Sequence, residues 1–429
     1  MNYLYLYLAA AAVILFLYMR RYRRLHESAS QELKQSIEAG LVEPASLHPV
    51  INPARCMGSG SCARACPEEA LGVVRGKAVL INASACIGHG ACLTACPVEV
   101  ISLVFGTEKR GVDIPNISPA FETNVQGIFI AGELGGMGLI RKAAEQGRQA
   151  MDSVRKRANG SCDLDVLIVG CGPAGLSAGL SAVEHKLRYR VIEQEDSLGG
   201  AVYHYPRNKI TMTAPVQLAL VGKVKFGEVS KEKLLEFWTG VMKTTGLKVS
   251  FRERLTGIER SGDGFLVQTD RGSYSARSVL LAMGRRGTPR KLDVPGVEHS
   301  KVVYRLVDPE QYQNQKVLVV GGGDSALEAA IAVAEQPGTR VTLSYRSAAF
   351  SRVKAKNRQR LDEMRASGTL EVLMESNVRE IGVREVKIEQ GDKTLARPND
   401  AVIVCAGGEL PTPLLRKIGI QFETKFGTR

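Results

Sequence analysis

The chain of 429 residues is poor in aromatic side chains, which make up 6% of it and include one tryptophan. Nucleic-acid binding draws on basic surfaces interleaved with stacking aromatics, or on a recognisable module. Neither is visible, so no nucleic-acid partner is expected. The net charge of +13 reads as a solvated basic surface suited to an anionic leaflet or an acidic partner. A long disordered tract is also lacking: at 44% hydrophobic and 24% charged the composition is globular, and the length implies two or three domains.

Charge is missing altogether from residues 3–19 and arrives immediately afterwards as Arg20, Arg21, Arg23 and Arg24. Such a run rises about 25 Å as a helix, the low end of a bilayer span. The positive charge follows the apolar run and no small-residue cleavage site is evident, which argues against a secretory signal. The expectation is one N-terminal transmembrane helix, single-pass in the inner (cytoplasmic) membrane, with the bulk of the chain in the cytoplasm. That compartment is reducing, so the nine cysteines are not read as a disulfide framework.

Six of those cysteines form a repeat. Cys56, Cys62 and Cys66 before Pro67 recur, 30 residues on, as Cys86, Cys92 and Cys96 before Pro97. Glycines flank the position between the first two cysteines of each copy, at Gly58 and Gly60 and at Gly88 and Gly90, which permits tight wrapping with amide donors turned inward. Zinc knuckles seldom repeat this spacing. The pattern resembles the bacterial two-cluster ferredoxin, with Ser59 and His89 standing where that family has a second cysteine. The resemblance implies two iron-sulfur clusters with crossed ligands: Cys56, Cys62 and Cys96 on one, Cys86, Cys92 and Cys66 on the other. Each is a three-iron cluster on three thiolates, or a four-iron cluster whose odd iron takes Ser59, His89 or solvent.

Two glycine turns follow. Residues 165–169 form an apolar strand leading into Gly170-Cys171-Gly172-Pro173-Ala174-Gly175 and a helix, and Glu193 ends the next strand, placed to accept from adenosine ribose hydroxyls. Residues 316–320 lead into Gly321-Gly322-Gly323-Asp324-Ser325-Ala326 and a second helix. Here the following strand ends without a carboxylate; Arg346 and Arg352 follow, as a ribose 2'-phosphate would require, so NADPH is preferred over NADH.

With Gly199-Gly200, Ala282-Met283-Gly284 and Cys405-Ala406-Gly407-Gly408, these turns resemble the pyridine nucleotide-disulfide oxidoreductases, specifically the thioredoxin-reductase-like branch and the bacillithiol-disulfide-reductase type. The resemblance implies FAD on the first fold, NADP on the second, and hydride transfer where they meet. One departure concerns the thiols: thioredoxin reductases carry a redox C-x-x-C in the nucleotide domain, and residues 284–400 contain no cysteine. Cys162, Cys171 and Cys405 are isolated and read as small buried residues or loop thiols.

The other departure is order. The family's closing segment is a T-N-V-x-G turn, a strand, a Gly-Asp pair at the flavin and a helix. It is matched by residues 123–127, 128–131, Gly132-Glu133 and residues 137–154, all ahead of the first glycine turn. A circular permutation is therefore expected, with residues 111–155 completing a sheet begun at 165 and Arg429 lying near Phe105.

The expected fold class is α/β, with two Rossmann-type dinucleotide-binding domains (FAD and NAD(P)), a small α+β ferredoxin-like domain and one N-terminal transmembrane helix. The domains read as anchor and basic stop 1–25, linker 26–48, dicluster ferredoxin-like domain 49–105, displaced C-terminal segment of the FAD domain 106–160, FAD domain 161–285, NAD(P) domain 286–400 and return to the FAD domain 401–429. Expected cofactor contacts are Gly170, Gly172, Pro173, Ala174, Gly175, Glu193, Gly200, Ala282, Gly284, Gly132 and Glu133 for FAD. Those for NADP are Gly321, Gly323, Ala326, Arg346 and Arg352. No side chain stands out as a general acid or base. The function expected is a membrane-anchored NADPH-dependent FAD oxidoreductase passing electrons singly to or from clusters and an unidentified protein or quinone, as a homodimer or alone. A small-molecule disulfide reductase and a redox or iron sensor are the competing readings.

Overall fold

A computed structural model of the chain describes residues 2–38, 43–44, 47–108, 110–136, 138–157, 161–205, 210–212, 215–285, 287–350 and 353–427. Arg352, Met137 and Arg429, singled out above, lie outside these residues.

Two parallel-cored sheets dominate. In the first, strands run in the order Val249–Phe251, Tyr189–Glu193, Leu164–Val169, Gly272–Leu281, Gly264–Thr269 and Leu255–Ser261. The end of Gly272–Leu281 takes one more strand: Ile128–Ile130 lies parallel to it with Val279 opposite Ile128 and Leu281 opposite Ile130. Across the same residues Val279 faces Leu167 and Leu281 faces Val169. The strand that precedes the glycine turn in sequence therefore lies in the same parallel sheet as the strand that enters it. All three of its residues are buried, as expected of a strand covered on both faces.

The helix that follows, Ile140–Arg155, buries Ala143, Ala144, Gly147, Ala150, Met151 and Val154, a stripe of helical period on one face. It packs against the Pro173–Glu184 helix, whose buried residues are alanine, glycine and serine apart from Leu176 and Leu180. Small residues on both sides let the two backbones approach closely. At the other end, Phe422–Lys425 pairs antiparallel with Val112–Pro115, and the Gly427 N–H donates to the Phe105 carbonyl at 2.8 Å. The last described residues thus lie beside the exit of the cluster module.

The second sheet orders Val302–Val303, Ala401–Val404, Lys316–Val320, Arg340–Ser344 and Leu370–Leu373. This corrects one expected boundary. Residues 401–404 do not return to the first domain; they sit inside the second sheet, with Ala401 opposite Val317 and Val404 opposite Val320. The return comes later, where Leu415 and Ile420 join the core that holds Ile128 and Ile130.

The cysteine module has two antiparallel ribbons, His48–Ile51 with Ile101–Val104 and Leu71–Val74 with Lys77–Leu80. The N-terminal helix, Asn2–Glu38, docks its second half on this module. A Cβ on Gly72 would stand 2.8 Å from that of Ala29, and Asn82 Nδ2 donates to Glu32 Oε1 at 3.3 Å. The expected transmembrane helix is corrected accordingly: among the described residues no helix is long and apolar enough to cross a membrane. The uncharged run instead opens one continuous helix whose later turns belong to the cluster module. Leu8, Val13, Ile14, Leu15, Phe16 and Leu17 are exposed along it.

Candidate active site and cluster sites

A cavity of about 960 Å³ opens between the two sheets. The first glycine turn contributes Gly170, Gly172, Pro173 and Ala174, and the displaced segment contributes Gly132 and Glu133. Glu193, Gly200, Ala282 and Gly284 complete the expected set on its wall. Gly175 does not reach the cavity. A Cβ there would stand 1.8 Å from the Gly170 carbonyl oxygen, so its role is to bring strand and helix together.

The turn leaves backbone at the start of the Pro173–Glu184 helix, where Pro173 occupies a first-turn position and the helix dipole favours an anion. Glu193 is buried, and its carboxylate accepts from the Cys171 N–H at 2.7 Å and the Glu195 N–H at 3.0 Å. Burial pushes its pKa up despite those two amides. Each carboxylate oxygen keeps a lone pair for a hydroxyl donor. Strand, glycine turn, helix start and terminal acid fit an adenine dinucleotide, and Cys171 within the turn is fully buried. Burial, with the Glu193 charge beside it, pushes its thiol up to about 12.

Glu133 is held where Gly284 lacks a side chain: a Cβ on Gly284 would be 3.8 Å from its Oε2. The neighbouring Arg285 is partly buried and donates from Nη2 to the Asp113 carbonyl at 3.0 Å. Burial lowers its pKa, while the charges of Glu133 and Asp113 oppose that shift. The Gly132 N–H donates to Gln146 Oε1 at 2.9 Å, fixing the backbone bend where the displaced strand meets the cavity.

Sequence reasoning missed the polar groups that join the two halves of this wall. Arg305 Nη1 contacts His204 Nδ1, and His204 Nε2 lies 3.6 Å from Glu195 Oε1. Arg305 comes from the second domain and the other two from the first, and all three line the cavity. No local motif marks them, because the contact exists only once the domains are placed.

At the second turn, Gly321, Gly323 and Ala326 lie away from the large cavity wall. A Cβ on Gly321 would stand 2.4 Å from the Cys405 carbonyl oxygen, whereas one on Gly323, at the start of the Asp324–Ala334 helix, would meet nothing within 4 Å. Asp324, the acid nearest that helix start, is turned aside: its Oδ1 accepts from the Lys354 N–H at 2.9 Å and Asn357 Nδ2 at 2.8 Å. Arg346 is exposed just beyond the Arg340–Ser344 strand. Open backbone at a helix start with a free-standing arginine nearby suits a phosphorylated ribose.

In the cysteine module the six thiols gather as two sets. Burial raises the pKa of Cys62, and the neighbouring charges that add to it are Cys56 and Cys96. Burial likewise pushes Cys92 up to about 11, with Cys86, Cys66 and, from the other set, Cys62 adding. Cys66, the last cysteine of the first run, lines one small cavity with Cys86 and Cys92 of the second, the crossing that the ferredoxin resemblance implies. Among the described residues no three His, Cys, Asp or Glu side chains close on a single metal ion. Two triads of free thiols on glycine-flanked turns fit two iron-sulfur clusters in donor chemistry. Ser59 and His89 are both exposed but differ in their neighbours. Ser59 is exposed, with its hydroxyl 3.3 Å from that of Ser61. His89 lines a small cavity together with Cys66, Cys86 and Cys92.

Residues 167–427 match the family model described as pyridine nucleotide-disulphide oxidoreductase, and residues 48–97 match the 4Fe-4S dicluster domain. Among curated proteins the chain is 31% identical over 246 residues to a ferredoxin–NADP reductase of Pediococcus pentosaceus, covering 54% of this chain and 71% of that one. It is 32% identical over 255 residues to one of Thermus thermophilus, covering 57% and 72%. A solved bacillithiol disulfide reductase from Bacillus cereus superposes with a TM-score of 0.52 at 25% identity, covering 60% of this chain and 81% of that chain. The chain belongs to the pyridine nucleotide-disulphide oxidoreductase family, as an FAD-dependent oxidoreductase that carries a 4Fe-4S dicluster domain.

Proposed function

We propose that this member of the family is an NADPH-dependent reductase that moves electrons one at a time between its FAD and two iron-sulfur clusters, and from the clusters to an external protein or quinone. Bound FAD supplies the conversion between a two-electron hydride and single electrons. The chain's own residues do the rest. The first glycine turn and Glu193 bind and orient the dinucleotide. Gly132 and Glu133 shape the far wall of the cavity. The start of the Asp324–Ala334 helix and Arg346 hold the nicotinamide nucleotide with preference for a 2'-phosphate.

The observation that carries this reading is continuity of the chain: the strand leaving the cluster module runs, through the Val112–Pro115 ribbon, into Gly132 and Glu133 on the cavity wall. A disulfide reductase of the dithiol type would need an accessible thiol pair at that cavity. Cys171 is buried and Cys405 is isolated in sequence, which favours the clusters as the exit.

The test is anaerobic stopped-flow reduction by NADPH, with flavin followed by absorbance and clusters by freeze-quench electron paramagnetic resonance. Cluster reduction within a turnover is expected. Clusters that stay oxidised while the flavin cycles would defeat the reading.

The exposed apolar row of the Asn2–Glu38 helix and the arginines after it support a location against the cytoplasmic face of the inner membrane. Cell fractionation checks this: recovery in the membrane fraction is expected, and full recovery in the supernatant without detergent counts against it.

A further inference from the structure

The two thiol triads differ in the residues that link them to the rest of the fold. Leu103, on the Ile101–Val104 strand, lines the small cavity of Cys66, Cys86 and Cys92, as does its register partner Pro49. Phe105 follows directly on the end of that strand, two residues after Leu103. The Phe105 ring lies over Gly136: a Cβ there would stand 2.5 Å from its Cζ. Gly136 has φ +102° and closes the short turn begun by Glu133, whose carbonyl accepts its N–H at 2.8 Å. Leu103, the chain from it to Phe105, and the Phe105 ring on Gly136 therefore lead from one triad to the turn at the cavity wall.

The other triad is tied to the opposite ribbon. Cys56 Sγ accepts from the Ala78 N–H at 3.4 Å, and the Cys56 carbonyl accepts from Lys77 Nζ at 2.7 Å. Its neighbour Met57 is 70% exposed, so this set has a solvent-open side.

Resting on the electron-transfer reading above, we propose that the cluster held by Cys66, Cys86 and Cys92 is proximal to the flavin, that the one held by Cys56, Cys62 and Cys96 is distal and meets the external carrier, and that Phe105 positions the module on the Glu133–Gly136 turn. The balance is one NADPH and two oxidised clusters giving NADP⁺, a proton and two clusters each reduced by one electron. Phe105 is a positioning residue. Its carbonyl bond to Gly427 and its ring on Gly136 hold the module docked.

The experiment compares Cys92→Ala, Cys62→Ala and Phe105→Ala with the full chain, by electron paramagnetic resonance after NADPH and, separately, after dithionite. In Cys92→Ala the surviving cluster should respond to dithionite and remain oxidised with NADPH. In Cys62→Ala the surviving cluster should be reduced by NADPH. Phe105→Ala should keep both clusters, slow their reduction relative to flavin reduction by about tenfold or more, and speed amide exchange in the 101–115 segment. Reduction of the surviving cluster by NADPH in Cys92→Ala would overturn the assignment, as would its failure in Cys62→Ala. If a cysteine variant loses both clusters, Phe105→Ala decides: an unchanged ratio of cluster to flavin reduction and unchanged exchange refute the proposal. Wild-type clusters that never accept electrons from NADPH would instead remove the underlying function.

Discussion

A Cβ on Gly147 would stand 2.1 Å from the carbonyl oxygen of Ala174, so the helix displaced to the front of the chain is fitted to the helix that begins at the first glycine turn. A backbone oxygen cannot swing aside as a side chain would. Replacing a helical glycine by alanine gains about 1 kcal/mol in propensity, whereas overpacking a tight contact costs about 1–3 kcal/mol. Gly147→Ala should therefore be destabilising on balance. Thermal denaturation with FAD fluorescence as the second signal checks it, and a raised midpoint with full FAD retention would contradict the packing argument.

Glu193 binds two backbone amides through a buried carboxylate. Truncation to alanine leaves the Cys171 and Glu195 N–H groups unmatched and removes the ribose acceptor. A loss of about 1–3 kcal/mol follows for each such buried group left unpaired. FAD affinity should fall at least tenfold in Glu193→Ala, read by titration of apoprotein. Glu193→Asp, one methylene shorter, should lie between the two.

Asp165 accepts from the Arg188 backbone N–H at 2.9 Å and from Arg188 Nη2 at 2.9 Å. These bonds to Arg188 hold its carboxyl below the usual carboxylate range, against the effect of burial, with the charge of Arg277 adding. A carboxyl whose folded pKa is depressed contributes stability above its unfolded pKa and loses it as pH falls through the folded one. Asp165→Asn should lower the unfolding midpoint at pH 7, and the gap from wild type should close as the solution is taken below pH of about 3. A gap that persists undiminished there would show a packing effect instead of an ionic one.

The disulfide-reductase alternative makes an opposite claim about the isolated cysteines. With the Cys171 thiol pushed up to about 12 by burial, alkylating reagents should leave it unmodified in the native protein. The combined Cys162→Ala, Cys171→Ala and Cys405→Ala variant should still reduce its flavin and clusters with NADPH. Loss of electron flow in a variant that keeps FAD would point back to thiol chemistry.

The elements of the fold that were legible in the sequence are those with local signatures. The glycine turn at Gly170, the terminal acid Glu193 and the cysteine spacing each encode a tight backbone path or a ligand set within a few residues. Even the reversed order was readable, because residues 123–133 keep the turn-strand-glycine pattern wherever they stand. The family match to residues 167–427 does not include that segment, although the sheet does. What was misread depends on distant partners. Ala401–Val404 is an apolar strand that two sheets could accept, and only pairing with Lys316–Val320 decides between them. The uncharged run near the start looked like an independent span because the later turns' contacts with Gly72 and Asn82 are invisible in sequence. The Arg305–His204 contact joins residues 101 positions apart, with no periodicity to announce it. Ser59 and His89 occupy equivalent places in the repeat and are both exposed, yet the first turns to Ser61 while the second borders Cys66, Cys86 and Cys92.

The central claim is that NADPH, flavin and both clusters form one electron circuit. Anaerobic titration of the purified holoprotein with NADPH, counting electrons taken up per chain, tests it most directly. A flavin accepts two electrons and each cluster one, so about two equivalents of NADPH per chain should be consumed, with cluster signals growing alongside flavin bleaching. An end point at about one equivalent, with the clusters still oxidised and yet reducible by dithionite, would contradict the account.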